Sequence, residues 1–225
     1  MDLTILLPTH NRPHLFQRAL TSVLNQIPEG AQVIVNNDSN DITEISHPQV
    51  KYYYNNYDNL SDVYKFLLSN ATTSYVYFLE DDDYLKDGFF NILEQYLTDY
   101  DIVSGNYWPT FNDEHILKTH TNGIYTEQEQ FVNALDYKYL QLSKFIFKRD
   151  KIVNYNFKKD SNVHNDIDLV LHAVSKSNKF ICIPDVLYFQ TVDGRDNISF
   201  EQFSAVEKDL SFLKNYKWNI QYEDS

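Results

Sequence analysis

Between Leu3 and Gly105 the sequence alternates between strand-like and helix-like hydrophobic patterns, and this alternation constrains the fold more than any other feature. LTILLP is a continuous apolar run, the pattern of a strand buried on both faces. In PHLFQRALTSVLNQ the residues Leu15, Phe16, Ala19, Leu20, Val23 and Leu24 recur at helical spacing until Pro28 and Gly30 end the pattern, and Asn11 is placed to cap this helix. QVIVN supplies a second strand and VKYYY a short third. Leu60, Val63, Tyr64, Leu67 and Leu68 then mark a helix before the strand YVYFL. Asp87 can cap a helix carrying Phe89, Phe90, Leu93 and Leu97, and DIVSG follows as another strand. Such succession implies right-handed βαβ units around a mostly parallel sheet, so the predicted class is α/β. Ligands of such sheets gather at the carboxyl ends of the strands. Three polar loops fall on that edge: THN after the first strand, NNDSND after the second and EDDD after YVYFL.

The second half is less regular. Thr126 and Glu129 have capping-box spacing before a helix through Phe131 and Leu135, while Ile167, Val170, Leu171 and Val174 define a further helix. KFICIP reads as a late strand, and Ser199 can cap a final helix carrying Phe203, Val206, Leu210 and Leu213. No repeat, low-complexity tract or linker interrupts the chain. One domain over residues 1–225 is expected, with a regular first half (1–105) and a variable second half (106–225).

The 19 basic and 32 acidic residues give a formal charge of -13, which disfavours broad binding to nucleic acid or to an anionic membrane. Cys182 is the only cysteine, so no intramolecular disulfide can form, and a cytoplasmic location is the expectation. The apolar stretch near Met1 is cut by Pro8, and no later run approaches the ~20 apolar residues of a membrane span, so neither a signal peptide nor stable membrane insertion is expected.

Glu80, Asp81, Asp82 and Asp83 follow directly on YVYFL. Neighbouring carboxylates raise one another's pKa and cost free energy unless a cation offsets the repulsion. A solvated acidic turn would account for the run as well as a metal site would, and what surrounds the run must decide between them.

With these pieces in order, the chain resembles the family 2 glycosyltransferases, which have the GT-A (Rossmann-like) fold. PTHNRPHLFQRALTSVLNQ resembles the family's opening, P-T-x-N-R followed by A-L-x-S-V-L-x-Q. VIVNNDSND resembles V-V-D-D-G-S-x-D, and SYVYFLEDDDYL resembles the strand that ends in the D-x-D motif. NDIDL resembles the E-D-x-D-L segment that holds the catalytic base, and IPDVLYFQTVDGRDNIS is similar to the closing L-Y-x-x-R-x-H-x-x-S region. The resemblance implies transfer of a sugar from a nucleoside diphosphate donor, with inversion, assisted by Mn²⁺ or Mg²⁺. In that alignment Asp82 and Glu80 take the metal positions, with Asp193 where relatives have a ligating His. Asp166 takes the base position. Pro8, Thr9, Asn11, Arg12, Asn37, Asp38, Asp81 and Arg195 would cradle the donor, although Arg12 could equally form a salt bridge, and Asp81 and Asp83 could face solvent or acceptor. The family's A-R-N arginine is missing from DVYKFLL, where Lys65 either replaces it as a point charge on the donor or is the solvated face of its helix. Asn36, Asn37 and Asn165 replace the usual Asp, Asp and Glu.

The acceptor is less legible. Residues 143–159 carry Lys144, Lys148, Arg149, Lys151, Lys158 and Lys159 against the single acid Asp150. This is either a solvated face or a landing patch for an anionic acceptor, a lipid-linked saccharide or DNA with a hydroxylated base. The alternatives to transfer are a nucleotidyltransferase, disfavoured because PTHNRP has no glycine, and a non-catalytic binding module, suggested by the three asparagines.

Overall fold

A computed structural model describes residues 1–39, 42–110, 120–135, 141–157 and 164–191, without the side chains of His164 and Asn165. The expected last helix with its Ser199 cap lies outside the described residues, as do Lys158, Lys159, Asp193 and Arg195. The elements are β1 (Leu3–Thr9), α1 (Pro13–Leu24), β2 (Gln32–Asn37), β3 (Val50–Tyr53), α2 (Leu60–Asn70), β4 (Tyr75–Phe78), β5 (Tyr84–Leu85), α3 (Phe89–Leu93), β6 (Ile102–Pro109), β7 (Gly123–Tyr125), α4 (Gln128–Ala134), β8 (Phe145–Lys148), α5 (His164–Ser175) and β9 (Phe180–Gln190).

These strands form one sheet in the order β3-β2-β1-β4-β8-β6-β9-β5, with β7 paired to β9. The four strands β3, β2, β1 and β4 are parallel, the arrangement that their apolar runs demand. All seven residues of β1 are buried because both faces are covered. Leu3, Ile5 and Leu7 share a core with Phe16, Ala19, Leu20 and Val23 of α1, and α2 packs on β1 and β2. The chain leaves β1 toward β2 on one side, yet β4 is its neighbour on the other. A topological switch point therefore opens between the carboxyl ends of β1 and β4.

The second half is mixed. β6 and β9 are parallel, but β8 runs antiparallel between β4 and β6. Gly105 sits where the β6–β9 register shifts, and a Cβ there would stand 2.3 Å from Leu187 Cδ1.

Three expected caps are not formed. Asn11 adopts φ 51°, in the left-handed region, and α1 starts instead at Pro13 behind Arg12 with no side-chain cap. Gly88, at φ 85°, takes the cap position of α3 in place of Asp87. Glu127 precedes α4 without a side-chain cap, so the Thr126–Glu129 box does not form.

Candidate active site

The acidic run folds as a turn closed by the Asp83 N–H donating to the Glu80 carbonyl at 3.1 Å, at the end of β4. Three carboxylates do not point to water. Asp81 and Asp83 are buried, 1% and 6% exposed, and Glu80 is half-buried. The expectation that Asp81 and Asp83 face solvent is thus corrected. Arg12 is what makes the burial tolerable, since its guanidinium forks between Asp81 (2.6 Å) and Asp82 (2.9 Å). The salt bridge expected of it is formed.

The remainder of α1 explains why its motif has its spacing. Ser22 Oγ accepts the Leu85 N–H at 2.9 Å. Gln26 donates to the Lys86 carbonyl at 3.1 Å and accepts the N–H groups of Gly88 and Phe89 at 3.0 and 3.1 Å. Ser22 near the end of α1 and Gln26 just beyond it therefore hold the chain just after the acidic turn.

Pro8 and Thr9 are buried as the last residues of β1. Asn36 and Asn37, in the positions of the family's acid pair, are each 1% exposed, and their amides are used internally. Asn36 and Asn55 exchange hydrogen bonds at 3.1 and 3.3 Å. Asn37 accepts from Ser39 N and Oγ at 3.0 and 2.8 Å and donates to the Ser39 carbonyl. Asn37 is thus turned into its own loop rather than outward, and Asp38 carries the polar group of this edge. Asn11 donates its amide hydrogen to His10 Nε2 at 2.8 Å, which leaves Nδ1–H to donate to Asp38 at 2.6 Å. His10 also donates its backbone N–H to Asp81 at 3.3 Å. Sequence reasoning had not singled out His10, although its position between Thr9 and Asn11 in a ligand-edge loop was a usable signal.

α5 brings Asp166 to the same crevice, where its charge acts on Glu80. Burial raises the Asp166 carboxyl to about 7, opposed by a hydrogen bond from the Leu142 backbone. Burial also raises Glu80 to about 8; the Tyr64 hydroxyl, donating to it, works against the rise, and Asp166, Asp82 and Asp81 add to it. Asp81 is raised by burial to about 6 against the pull of Arg12 and the Thr9 hydroxyl, and Asp83 is raised well above the carboxylate range by burial and by Asp82. Tyr64, missed as a site residue, sits on the buried stripe of α2 between Phe78 and Phe157.

Among the described residues no three His, Cys, Asp or Glu side chains form a metal cage. Magnesium-type sites often use one or two carboxylates and complete their octahedra with substrate phosphates and water. Asp82 and Glu80 fit that role, because the carboxylates of the turn and Asp166 outnumber the nearby Arg12 and Arg18, and an added cation would relieve the repulsion that adds to the effect of burial on Glu80.

Two expected groups lie elsewhere. Lys65 is exposed on α2 and lines a cleft of about 270 Å³ with residues 153–157. The described part of the basic run is mixed: Lys144 is buried, whereas Lys148, Arg149 and Lys151 are half-buried. FIFK is a sheet strand with Phe145, Ile146 and Phe147 buried, and Lys144 is 0% exposed. Because β8 is antiparallel to β4, Lys148 pairs with Tyr75 and Arg149 donates to the Ser74 carbonyl, at the end of β4 away from the acidic turn. Lys148 is moreover 3.5 Å from Asp101.

Relatives share this architecture. The backbone superposes on S. aureus TarS 1–349 in complex with UDP-GlcNAc with a TM-score of 0.73 at 15% identity, covering 88% of this chain and 61% of that one. It matches the mannosyltransferase PcManGT from Pyrobaculum calidifontis, in complex with GDP-Man and Mn²⁺, with a TM-score of 0.66 at 16% identity over 95% of this chain and 64% of that one. By sequence it is 25% identical over 122 residues to glycosyltransferase GlyA of Streptococcus pneumoniae, 49% of this chain but 17% of GlyA. The chain therefore spans less than two thirds of each of these relatives. Residues 4–155 match the family model described as glycosyl transferase family 2, a stretch that runs from β1 through the acidic turn and β8, and the chain belongs to that family.

Proposed function

We propose that this protein transfers a sugar, with inversion, from a nucleoside diphosphate sugar to a hydroxyl of a saccharide or lipid-linked saccharide, with a UDP-sugar as the first donor to test. The observation that carries this reading is Asp166, a half-buried carboxyl raised to about 7 whose charge acts on Glu80 at the end of β4. A general base works best with a pKa near the operating pH. The donor complexes of TarS and PcManGT support a nucleotide-sugar donor.

In the transfer, Asp166 takes the proton of the acceptor hydroxyl as that oxygen bonds to the anomeric carbon. The bond to the diphosphate oxygen breaks on the opposite face and its electron pair leaves with the diphosphate. Bound at Asp82 and Glu80, Mn²⁺ or Mg²⁺ would offset the charge that develops on this leaving group. Asp38, oriented by His10, is the polar group offered to the base or ribose, and Arg12 keeps Asp81 and Asp82 in place. The distance of Lys148 and Arg149 from the acidic turn favours a saccharide over DNA as acceptor.

The test is to incubate the protein with a panel of UDP- and GDP-sugars and Mn²⁺ or Mg²⁺ and to measure nucleoside diphosphate release. Slow metal-dependent hydrolysis of at least one donor is expected. Neither hydrolysis nor binding of any donor would defeat the enzymatic reading.

A further inference from the structure

Arg18 reaches the acidic turn from an exposed position on α1, and no feature of the proposed chemistry accounts for it. Its Nη2 donates to the Asp82 carbonyl at 2.6 Å and to the Thr191 hydroxyl at 2.5 Å. Its guanidinium stands 4.7 Å above the Tyr84 ring, which stacks in turn on Phe189 at 4.8 Å. Thr191 returns the connection, donating its N–H to Asp83 Oδ1 at 3.0 Å. One side chain thus joins the middle of the acidic turn, the strand that follows it and the residue just beyond β9.

The turn's own hydrogen bond engages Glu80 and Asp83, and Arg12 engages the Asp82 carboxylate. Arg18 grips the peptide between these anchors. Fixing the Asp82 carbonyl fixes the peptide plane that follows Asp82, and with it the rotation of the turn. Arginine suits this task because a planar fork can serve two acceptors while lying flat on an aromatic ring; lysine offers only a point charge. An exposed arginine serving only as a surface ion-pair partner would contribute little, and this one donates to a main-chain carbonyl and a hydroxyl.

We propose that Arg18 is a positioning residue of the transfer site: by tying the Asp82 peptide to Thr191 it sets the direction in which Asp82 offers its carboxylate to a cation–diphosphate complex. The proposal rests on the role given above to Asp82. It reaches beyond that role in assigning the aim of the turn to a residue on the outer side of α1.

The test compares Arg18→Met, Arg18→Lys and Thr191→Val with wild type. Affinity for UDP and GDP in the presence of Mn²⁺ is measured by calorimetry, and donor hydrolysis is measured against donor concentration. A misplacement of about 1 Å can cost on the order of 100-fold in such sites, so Arg18→Met should weaken nucleotide binding at least tenfold and raise the donor KM more than it lowers kcat. Arg18→Lys should recover part of the loss, and Thr191→Val should show a smaller shift in the same direction. Gln17→Met, which alters the neighbouring exposed position of α1, should behave as wild type. Wild-type affinity and KM in Arg18→Met, whatever its melting temperature, would overturn the proposal while leaving the proposed function intact. If Arg18→Met does not fold, wild-type values in Thr191→Val overturn it equally. Absence of nucleotide binding in the wild type would remove the proposed function and this role together, a result visible before any variant is made.

Discussion

Tyr64 donates its hydroxyl hydrogen to Glu80, so a half-buried carboxylate of the acidic turn is held by α2. This bond opposes the burial that raises Glu80 to about 8. Tyr64→Phe removes it without opening a cavity, and Glu80 should climb further and be less ionised at neutral pH. Hydrogen bonds to charged groups contribute about 1.5–3 kcal/mol, so Mn²⁺-dependent nucleotide affinity should fall about tenfold or more. The loss should be larger at pH 6.5 than at pH 8.5, which calorimetry at both values would reveal; equal losses would mean that Tyr64 does not act through the ionisation of Glu80.

The same raised carboxyls set the pH dependence of stability. Glu80, Asp81 and Asp166 stand at about 8, 6 and 7 in the folded chain, above the ordinary carboxyl values near 4 that the unfolded chain shows. The folded state then binds more protons, and stability falls as pH rises from about 4 to about 8. Thermal melts of the metal-free protein should give a lower midpoint at pH 8 than at pH 5.5. Mn²⁺ with a nucleoside diphosphate should restore more at pH 8. A midpoint that rises over this interval would contradict the burial of these groups.

Arg12→Met should be among the most damaging single changes in the first half. It strands the 1% exposed Asp81 without its cation. Breaking a buried ion pair costs about 3–5 kcal/mol, and the 28% exposure of Arg12 places this case at the lower end. Denaturant titration measures the loss. Arg12→Met together with Asp81→Asn should recover part of it, because the stranded charge is then gone.

Gly105→Ala tests the packing behind the site. The added methyl would collide with Leu187 across the β6–β9 register shift, at a cost of about 1–3 kcal/mol. A variant with unchanged stability would mean that β9 can move there.

Much of the first half could be read from the chain because β1, β2 and β4 are buried on both faces and α1 and α2 on one, so each leaves a strong pattern. The acidic turn was legible as a concentration of charge. Which carboxylates would be buried was not, because Arg12, at the cap of α1, and Arg18, within it, lie 70 and 64 residues away. β8 was hidden for a different reason. Its core residues Phe145, Ile146 and Phe147 are flanked by lysines that dominate any count of charge, and its antiparallel insertion between β4 and β6 is decided by distant partners. The capping predictions failed on backbone geometry: Asn11 is in the left-handed region and Gly88 supplies a conformation that Asp87 was not needed for.

The central claim is that two carboxylates on different elements act at different steps, Asp82 in holding the cation and donor and Asp166 in taking the acceptor proton. Nucleotide calorimetry with Mn²⁺, paired with a transfer assay across pH 6–8.5, tests it in Asp82→Ala and Asp166→Asn. Asp82→Ala should lose metal-dependent binding. Asp166→Asn should bind the nucleotide nearly as well as wild type while transfer falls about 10²–10⁴-fold and no longer rises with pH through about 7. Equal loss of binding in both variants, or a wild-type rate in Asp166→Asn, would contradict the assigned roles.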